Sequence, residues 1–500
     1  MRILMVASEA VPFAKTGGLA DVIGALPRAL VRLGHQVDVF MPRYRGLDGT
    51  RVLEMPVALG AQVRTAAVHA TAADGVRTLL VDHAAYFDRD YLYGTGGHDY
   101  PDNPERYAFL SQAAVNWAAA SGNRYDVVHA HDWQAGLVPV LMGSDPLDAT
   151  TGVGPRHAIV FTIHNLAYQG IFDASWLPRL GLSWDLMRVE AMEFWGRISY
   201  LKAGIVFSRM VTTVSPTYAR EIQTPEYGFG FDGILRERAS DLVGILNGID
   251  YDQWDPRRDP NLPQPYDASN LEGKRAAKRK VLEAFHLPLT DAALARPLVG
   301  MISRLVDQKG FDLLAGIADE LPRLGAAFVL LGNGERRYED LWLGLAARYP
   351  ERMGTRIGFD EPLAHLIEGG ADLLLMPSRF EPCGLNQMYS LRYGTVPVVR
   401  ATGGLSDTVE NFNPATGTGT GFTFDEYSPQ ALLGTLRWAL GVYEDRQTWR
   451  RLQEAGMRLD HSWDASARHY VGVYERAVRQ AKRRATARRG GPSGPPNRRG

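Results

Sequence analysis

The sequence predicts an α/β protein made of two Rossmann-like domains whose parallel sheets face an interdomain cleft. Two observations carry this. Short apolar runs alternate with stretches of helical periodicity, the pattern of parallel strands covered by helices on both faces. That rhythm stops and restarts after about residue 260, and a chain of 500 residues is too long for one such sheet. The stretch Asp255–Asp267 holds Pro256, Pro260, Pro263 and Pro265, which neither a helix interior nor a central strand tolerates. The boundary therefore falls within residues 248–265. Residues 1–250 form the first domain and 251–475 the second, with the last helix packing back on the first. Ligands of such folds bind at the carboxyl ends of the strands, so the cleft is the expected site.

Ile3–Ala7 reads as the first strand and Leu19–Leu33 as the first helix. Val37–Met41, Val127–Ala130, His157–Ile163, Val211–Val214 and Val243–Leu246 are the next strands. In the second domain the strands are Leu298–Ile302, Ala327–Leu331, Asp372–Met376 and Val396–Val399, with helices between them.

Composition narrows the class. Hydrophobic residues make up 45% and charged residues 22%, enough for a sizeable core and against wholesale disorder. No apolar run reaches the roughly 20 residues that span a bilayer. The single cysteine, Cys383, allows neither an intramolecular disulfide nor a Cys-based zinc site. The chain enters a strand at Ile3 with no leader pattern before it, so a cytoplasmic protein is expected. Nine basic residues follow the last acid, Glu475, so the net charge of −1 leaves about −10 on the rest. An acidic body argues against a nucleic-acid partner. Residues 482–500 are rich in Arg, Gly and Pro and read as a disordered tail.

Candidate chemistry sits where strands end. Glu9 and then Lys15-Thr16-Gly17-Gly18-Leu19-Ala20-Asp21 follow the first strand. Glycines there let backbone approach a ligand, and a helix N-terminus offers N–H groups to an anion. Taken alone, such a turn is more often just a turn, but Lys15 is one of only seven lysines. In the second domain Arg304 and Lys309 lie at a strand–helix junction and suit a diphosphate; surface pairing with Asp307 and Asp312 is the other reading. Thr402-Gly403-Gly404-Leu405 echoes the first turn. The densest motif, Pro377–Gln387, puts Glu381 in a strand-to-helix loop, where a carboxylate can hold sugar hydroxyls or cap the next helix. Cys383 has no sequence-near His, which favours a structural thiol over a nucleophile. His129, His131, Asp132 and His164 end two strands of the first domain. They suit sugar hydroxyls better than a metal, since Arg and Lys can neutralise a diphosphate without one. Asp90–Tyr107, with Tyr91, Tyr93 and Tyr100, suits carbohydrate stacking or an ordinary surface loop.

At these residues the sequence resembles the bacterial glycogen synthase and plant starch synthase family, retaining glucosyltransferases of the GT-B fold. The matching motifs are Lys15–Val22, His129–Trp133, His164–Gly170, Asn247–Asp250, Ser303–Leu305 with Gln308–Gly310, Pro377–Gln387, Arg392–Gly394 and Thr402–Leu405. They run in family order over about residues 1–475, and the tail lies outside them. The resemblance implies transfer of glucose from ADP-glucose to the non-reducing 4-OH of an α-1,4-glucan such as glycogen, with retention and without a metal. It implies catalytic roles for Glu381, His164, Lys15, Arg304 and Lys309. Donor contacts would come from Lys15, Gly18, Asp21, Asp132, Asn247, Arg304, Lys309, Glu381, Cys383, Gly384, Leu385, Thr402, Gly403 and Gly404, and acceptor contacts from Tyr93 and Tyr168. Many GT-B transferases carry a second Glu for the ribose where this chain has Tyr389, and Asn386 stands where many synthases have Thr. Three rivals remain: a GT-B enzyme with a small acceptor, a glucan phosphorylase and an inactive glucan-binding protein. The phosphorylase is disfavoured because Lys482 is the only lysine after Lys309.

Overall fold

The computed structural model describes residues 1–120, 122, 124–143 and 158–489, with 484–489 as backbone only. The chain divides into two units. The first contains residues 1–214, 219–245 and the segment from Trp463 onward; the second contains 215–218 and 246–462. The crossings therefore lie a few residues before the expected one and again at Ser462/Trp463, ahead of the expected end at 475.

The first unit is built on a nine-stranded sheet. Seven strands are parallel, in the order Leu242–Gly244, Met210–Thr213, Ala158–Ile163, Val127–His131, Arg2–Val6, Gln36–Pro42 and Val76–Asp82. Central strands such as Ala158–Ile163 are buried along their whole length, as expected for a sheet covered on both faces. His157, expected to open that strand, lies outside the described residues. The sequence reading missed the edge, where Thr50–Leu59 and Gln62–Ala73 pair antiparallel. Their signal was alternation: Met55, Val57 and Leu59 are buried between exposed neighbours. Gly60, at φ +56°, begins the two-residue turn that joins them.

The second unit holds a six-stranded, all-parallel sheet in the order Met353–Ile357, Ala327–Gly332, Leu298–Ile302, Leu373–Met376, Val396–Arg400 and Phe422–Phe424. Numbered along the chain, this is three-two-one-four-five-six, the doubly wound Rossmann order. Met353–Ile357 and Phe422–Phe424 were not anticipated. Both are short edge strands with weak patterns.

The last helix, Trp463–Arg489, belongs to the first unit. Trp463, Ala467, Tyr470, Tyr474 and Ala477 recur every three or four residues and are buried, and Arg32 pairs with Asp464 at 2.6 Å. The expectation of disorder from Lys482 is corrected: the helix runs on through Arg489. Residues 482–489 are Lys, Arg, Ala and Thr with no Gly or Pro, and extending an existing helix avoids the nucleation cost. Residues 490–500 lie outside the described residues. Among the described residues no helix is long and apolar enough to cross a membrane.

Candidate active site

In each unit the chemistry gathers where the strand order reverses. In the second unit this is between Leu298–Ile302 and Leu373–Met376, and the crevice at their carboxyl ends is formed by loops 303–310 and 377–385. There Lys309 Nζ lies 2.6 Å from Glu381 Oε2, with both side chains largely buried. Ser378 donates its hydroxyl to the same carboxylate oxygen at 3.0 Å. Arg304 is exposed at the crevice edge and donates to Gln308 Oε1 at 3.1 Å. Asp307 is held by Arg337 and Tyr338, and Asp312 by Arg379 and Tyr427. Glu381 is no helix cap, because the helix Asn386–Arg392 starts after Leu385 and has no side-chain cap.

Glycines lock three loops around Glu381. A Cβ on Gly310, at φ +78°, would lie 2.0 Å from Pro377 O. One on Gly403, at φ +46°, would lie 1.9 Å from Glu381 O, and one on Gly404 2.0 Å from Cys383 O. The Gly404 N–H donates to Glu381 O at 3.1 Å. The close approach that Thr402–Gly404 permits is therefore between loops. Gly384 packs on Gln387, whose amide donates to Cys383 O at 3.0 Å. Burial pushes the Cys383 thiol up to about 12, so it stays protonated and is a poor nucleophile. The backbone N–H of Asn247 faces that sulfur. Asn247 is buried, and its Oδ1 has no hydrogen-bond partner among the described residues. Asn386 donates to Ile302 O at 2.8 Å, tying the fourth strand's helix to the first strand. Tyr389 stacks on Trp254 with ring centroids 3.8 Å apart.

In the first unit the order reverses between Arg2–Val6 and Val127–His131. Glu9 follows the first of these strands and is 3% exposed. Its carboxylate accepts from Thr16 N–H, from Thr16 Oγ1 at 2.7 Å, from Gly17 N–H at 3.3 Å and from the Tyr93 hydroxyl. Ser8 Oγ also lies 2.8 Å from that hydroxyl. Tyr93, expected at the acceptor, thus spends its hydroxyl on Glu9. Lys15 pairs with Asp21 at 2.7 Å. A Cβ on Gly17 or Gly18 would meet nothing within 4 Å, so this turn, unlike that at Gly403–Gly404, has open space beside it.

Asp132 follows Val127–His131 with φ +55° and ψ −178°, a positive-φ conformation costing on the order of 1–3 kcal/mol for a residue other than glycine. Its carboxylate accepts the His164 N–H at 2.7 Å. Burial raises its pKa to about 7, against the N–H groups of His164 and Asn165, and the like charge of Glu9 adds to the rise. His131 Nδ1 lies 3.0 Å from His164 Nε2. The His131 ring lies against His129, with centroids 3.9 Å apart, and His129 sits between Tyr474 OH at 2.9 Å and Thr162 Oγ1 at 2.6 Å. Burial lowers His129 and His164 to about 3 and His131 far below its usual value, so all three rings are neutral near pH 7. Tyr168 is half exposed on the loop that begins at His164. The sequence reading named Glu9 without a role and missed the chain from His164 to Tyr474. An acid just after the first strand, facing a Thr-Gly-Gly turn, was the available signal for Glu9.

Comparison with known proteins places both regions. Residues 2–237 match the family described as starch synthase catalytic domain, and 290–455 match glycosyl transferases group 1. A protein named glycogen synthase from Koribacter versatilis is 49% identical over 95% of this chain and 98% of its own. The catalytic domain of starch synthase IV from Arabidopsis thaliana, bound to ADP and acarbose, superposes with a TM-score of 0.86 at 35% identity over 95% of this chain and 99% of its own. Sucrose-phosphate synthase from Thermosynechococcus elongatus, at 16% identity and TM-score 0.60 over 96% of this chain and 99% of its own, shares the fold alone. The matched segments contain both switch points with every charged residue described at them, and the chain belongs to the glycogen synthase and starch synthase family of GT-B glycosyltransferases.

Proposed function

We infer that this protein transfers glucose from ADP-glucose to the non-reducing 4-OH of an α-1,4-glucan with retention of configuration. The observation that carries the reading is the second unit's switch point, where Arg304 and the Lys309–Glu381 pair stand together on loops locked by glycine. When the anomeric C–O bond breaks, negative charge develops on the departing diphosphate. Fixed cations aimed at that charge are worth a factor of about 10² to 10³ in rate. Lys309 serves this role while Glu381 orients it and accepts from donor sugar hydroxyls. Arg304 supplies a two-pronged contact.

Lys15, Gly18 and Asp21 border open space that suits the donor, and the buried neutral His164 offers hydrogen bonds to sugar hydroxyls. The chain presents two cations for the diphosphate, so the reading requires no metal. In the favoured front-face displacement, the acceptor oxygen bonds to the anomeric carbon as ADP leaves, and the departing phosphate takes the acceptor proton. The ADP and acarbose held by the Arabidopsis structure support a nucleoside diphosphate and a glucan as the ligand classes. The test is incorporation of labelled glucose into glycogen from ADP-glucose against UDP-glucose. The reading predicts preferred transfer from ADP-glucose; transfer only from UDP-glucose, or none to glycogen, refutes it.

A further inference from the structure

Two aromatic residues of the first unit break the ordinary rules together. Trp195 is 82% exposed and Phe229 is 39% exposed, and both sit in the left-handed region, at φ +52° and +48°. Bulky residues rarely adopt that conformation, so the chain bears backbone strain and exposed apolar area at the same two positions. The Trp195 indole lies beside Gly230, the residue that follows Phe229. A Cβ placed on Gly230 would lie 3.5 Å from the Trp195 indole nitrogen and 3.0 Å from the Phe194 ring.

The platform beneath them is built. Phe194 stacks face to face on Phe231, with centroids 4.4 Å apart and planes 6° apart. Glu193 accepts the Gly196 N–H at 2.7 Å across the Trp195 turn. The buried ammonium of Lys202 donates to the carbonyls of Val189 and Glu193, pinning the hairpin base. Gln169 then joins this platform to the candidate site by donating to Phe229 O at 3.0 Å. Gln169 lies on the loop that starts at His164 and carries the half-exposed Tyr168.

We propose that Trp195 and Phe229 form a stacking track for the α-glucan chain, continuing outward from the loop that carries His164. This rests on the transferase reading above and names where that site holds the polymer beyond the reacting sugar. An α-glucan is uncharged, with flat apolar faces edged by hydroxyls. Exposed rings suit those faces, and the indole N–H and the Gln169 amide suit the edges.

The test uses the full chain and its Trp195→Ala, Trp195→Tyr and Phe229→Ala variants. One readout is mobility in native gels with and without glycogen. The other is the ratio of kcat/KM for glycogen to that for maltotriose, with ADP-glucose as donor. Trp195→Ala and Phe229→Ala should reduce retardation by glycogen and lower the ratio on the order of three- to tenfold, the scale of one lost aromatic contact. Trp195→Tyr should recover most of both. Unchanged retardation and ratio in the alanine variants overturn the track. Altered mobility in glycogen-free gels overturns it too, by marking the patch as a contact between copies. If the parent protein transfers nothing from ADP-glucose, the transferase reading fails, while the gel still reports on the track.

Discussion

Asp132 shows how a single residue at this site trades stability for position. Its carboxyl is raised to about 7 in the fold, against about 3.9 in an unfolded chain. Between those values the folded state holds a proton that the unfolded state has lost, so this group makes stability fall as pH rises through the window. The buried histidines act in the opposite sense. His129 and His164 are lowered to about 3, against about 6.5 unfolded. They cost stability below that pH and release the cost as pH rises towards it. Replacing Asp132 by Asn keeps an acceptor for the His164 N–H and removes only the descending component. In chemical denaturation, the stability of Asp132→Asn relative to the parent should therefore be near zero at pH 4 and grow through pH 7. A difference independent of pH would mean that the carboxyl titrates normally. None of this was visible in the sequence, because burial and the approach of Glu9 arise only when two strand ends meet.

At the scale of loops and helices, two Gly-Gly turns that look alike in the sequence differ in physical role. At Gly404 a Cβ would lie 2.0 Å from the Cys383 carbonyl, whereas at Gly18 nothing lies within 4 Å. Gly404→Ala should destabilise the fold by about 1–3 kcal/mol, the cost of overpacking a rigid contact, and displace Glu381 with it. Gly18 opens the first helix without a positive φ, so alanine there should leave the melting temperature unchanged or slightly raised. The same change should raise the KM for ADP-glucose, because the methyl group fills the space assigned to the donor. Thermal unfolding of both variants with donor kinetics on Gly18→Ala separates the roles; equal destabilisation by the two would erase the distinction. The sequence echo located both turns but could not tell them apart, since the atoms that crowd Gly404 lie in a loop some 20 residues earlier. The terminal helix was misjudged for a related reason. The Arg-rich run has no core of its own, yet it extends a helix anchored through Tyr470 and Tyr474.

For the molecule as a whole, two doubly wound sheets each place their charged groups where the strand order reverses. The parallel strands were legible because they are continuous apolar runs such as Leu298–Ile302. The antiparallel edge was not, because its alternating pattern buries only every second residue. Lys15, Arg304, Lys309 and Glu381 were legible as charged residues at strand–helix junctions. The ion pair between Lys309 and Glu381 was not, because its partners are 72 residues apart. In the proposed function these fixed cations stabilise the departing diphosphate during glucose transfer. This role is tested by kcat for transfer from ADP-glucose to glycogen in Arg304→Ala and Lys309→Ala. Each should fall on the order of 10²-fold or more, the scale for losing one charge-stabilising donor. Near-normal kcat, with only the affinity for ADP-glucose lost, would contradict the claim.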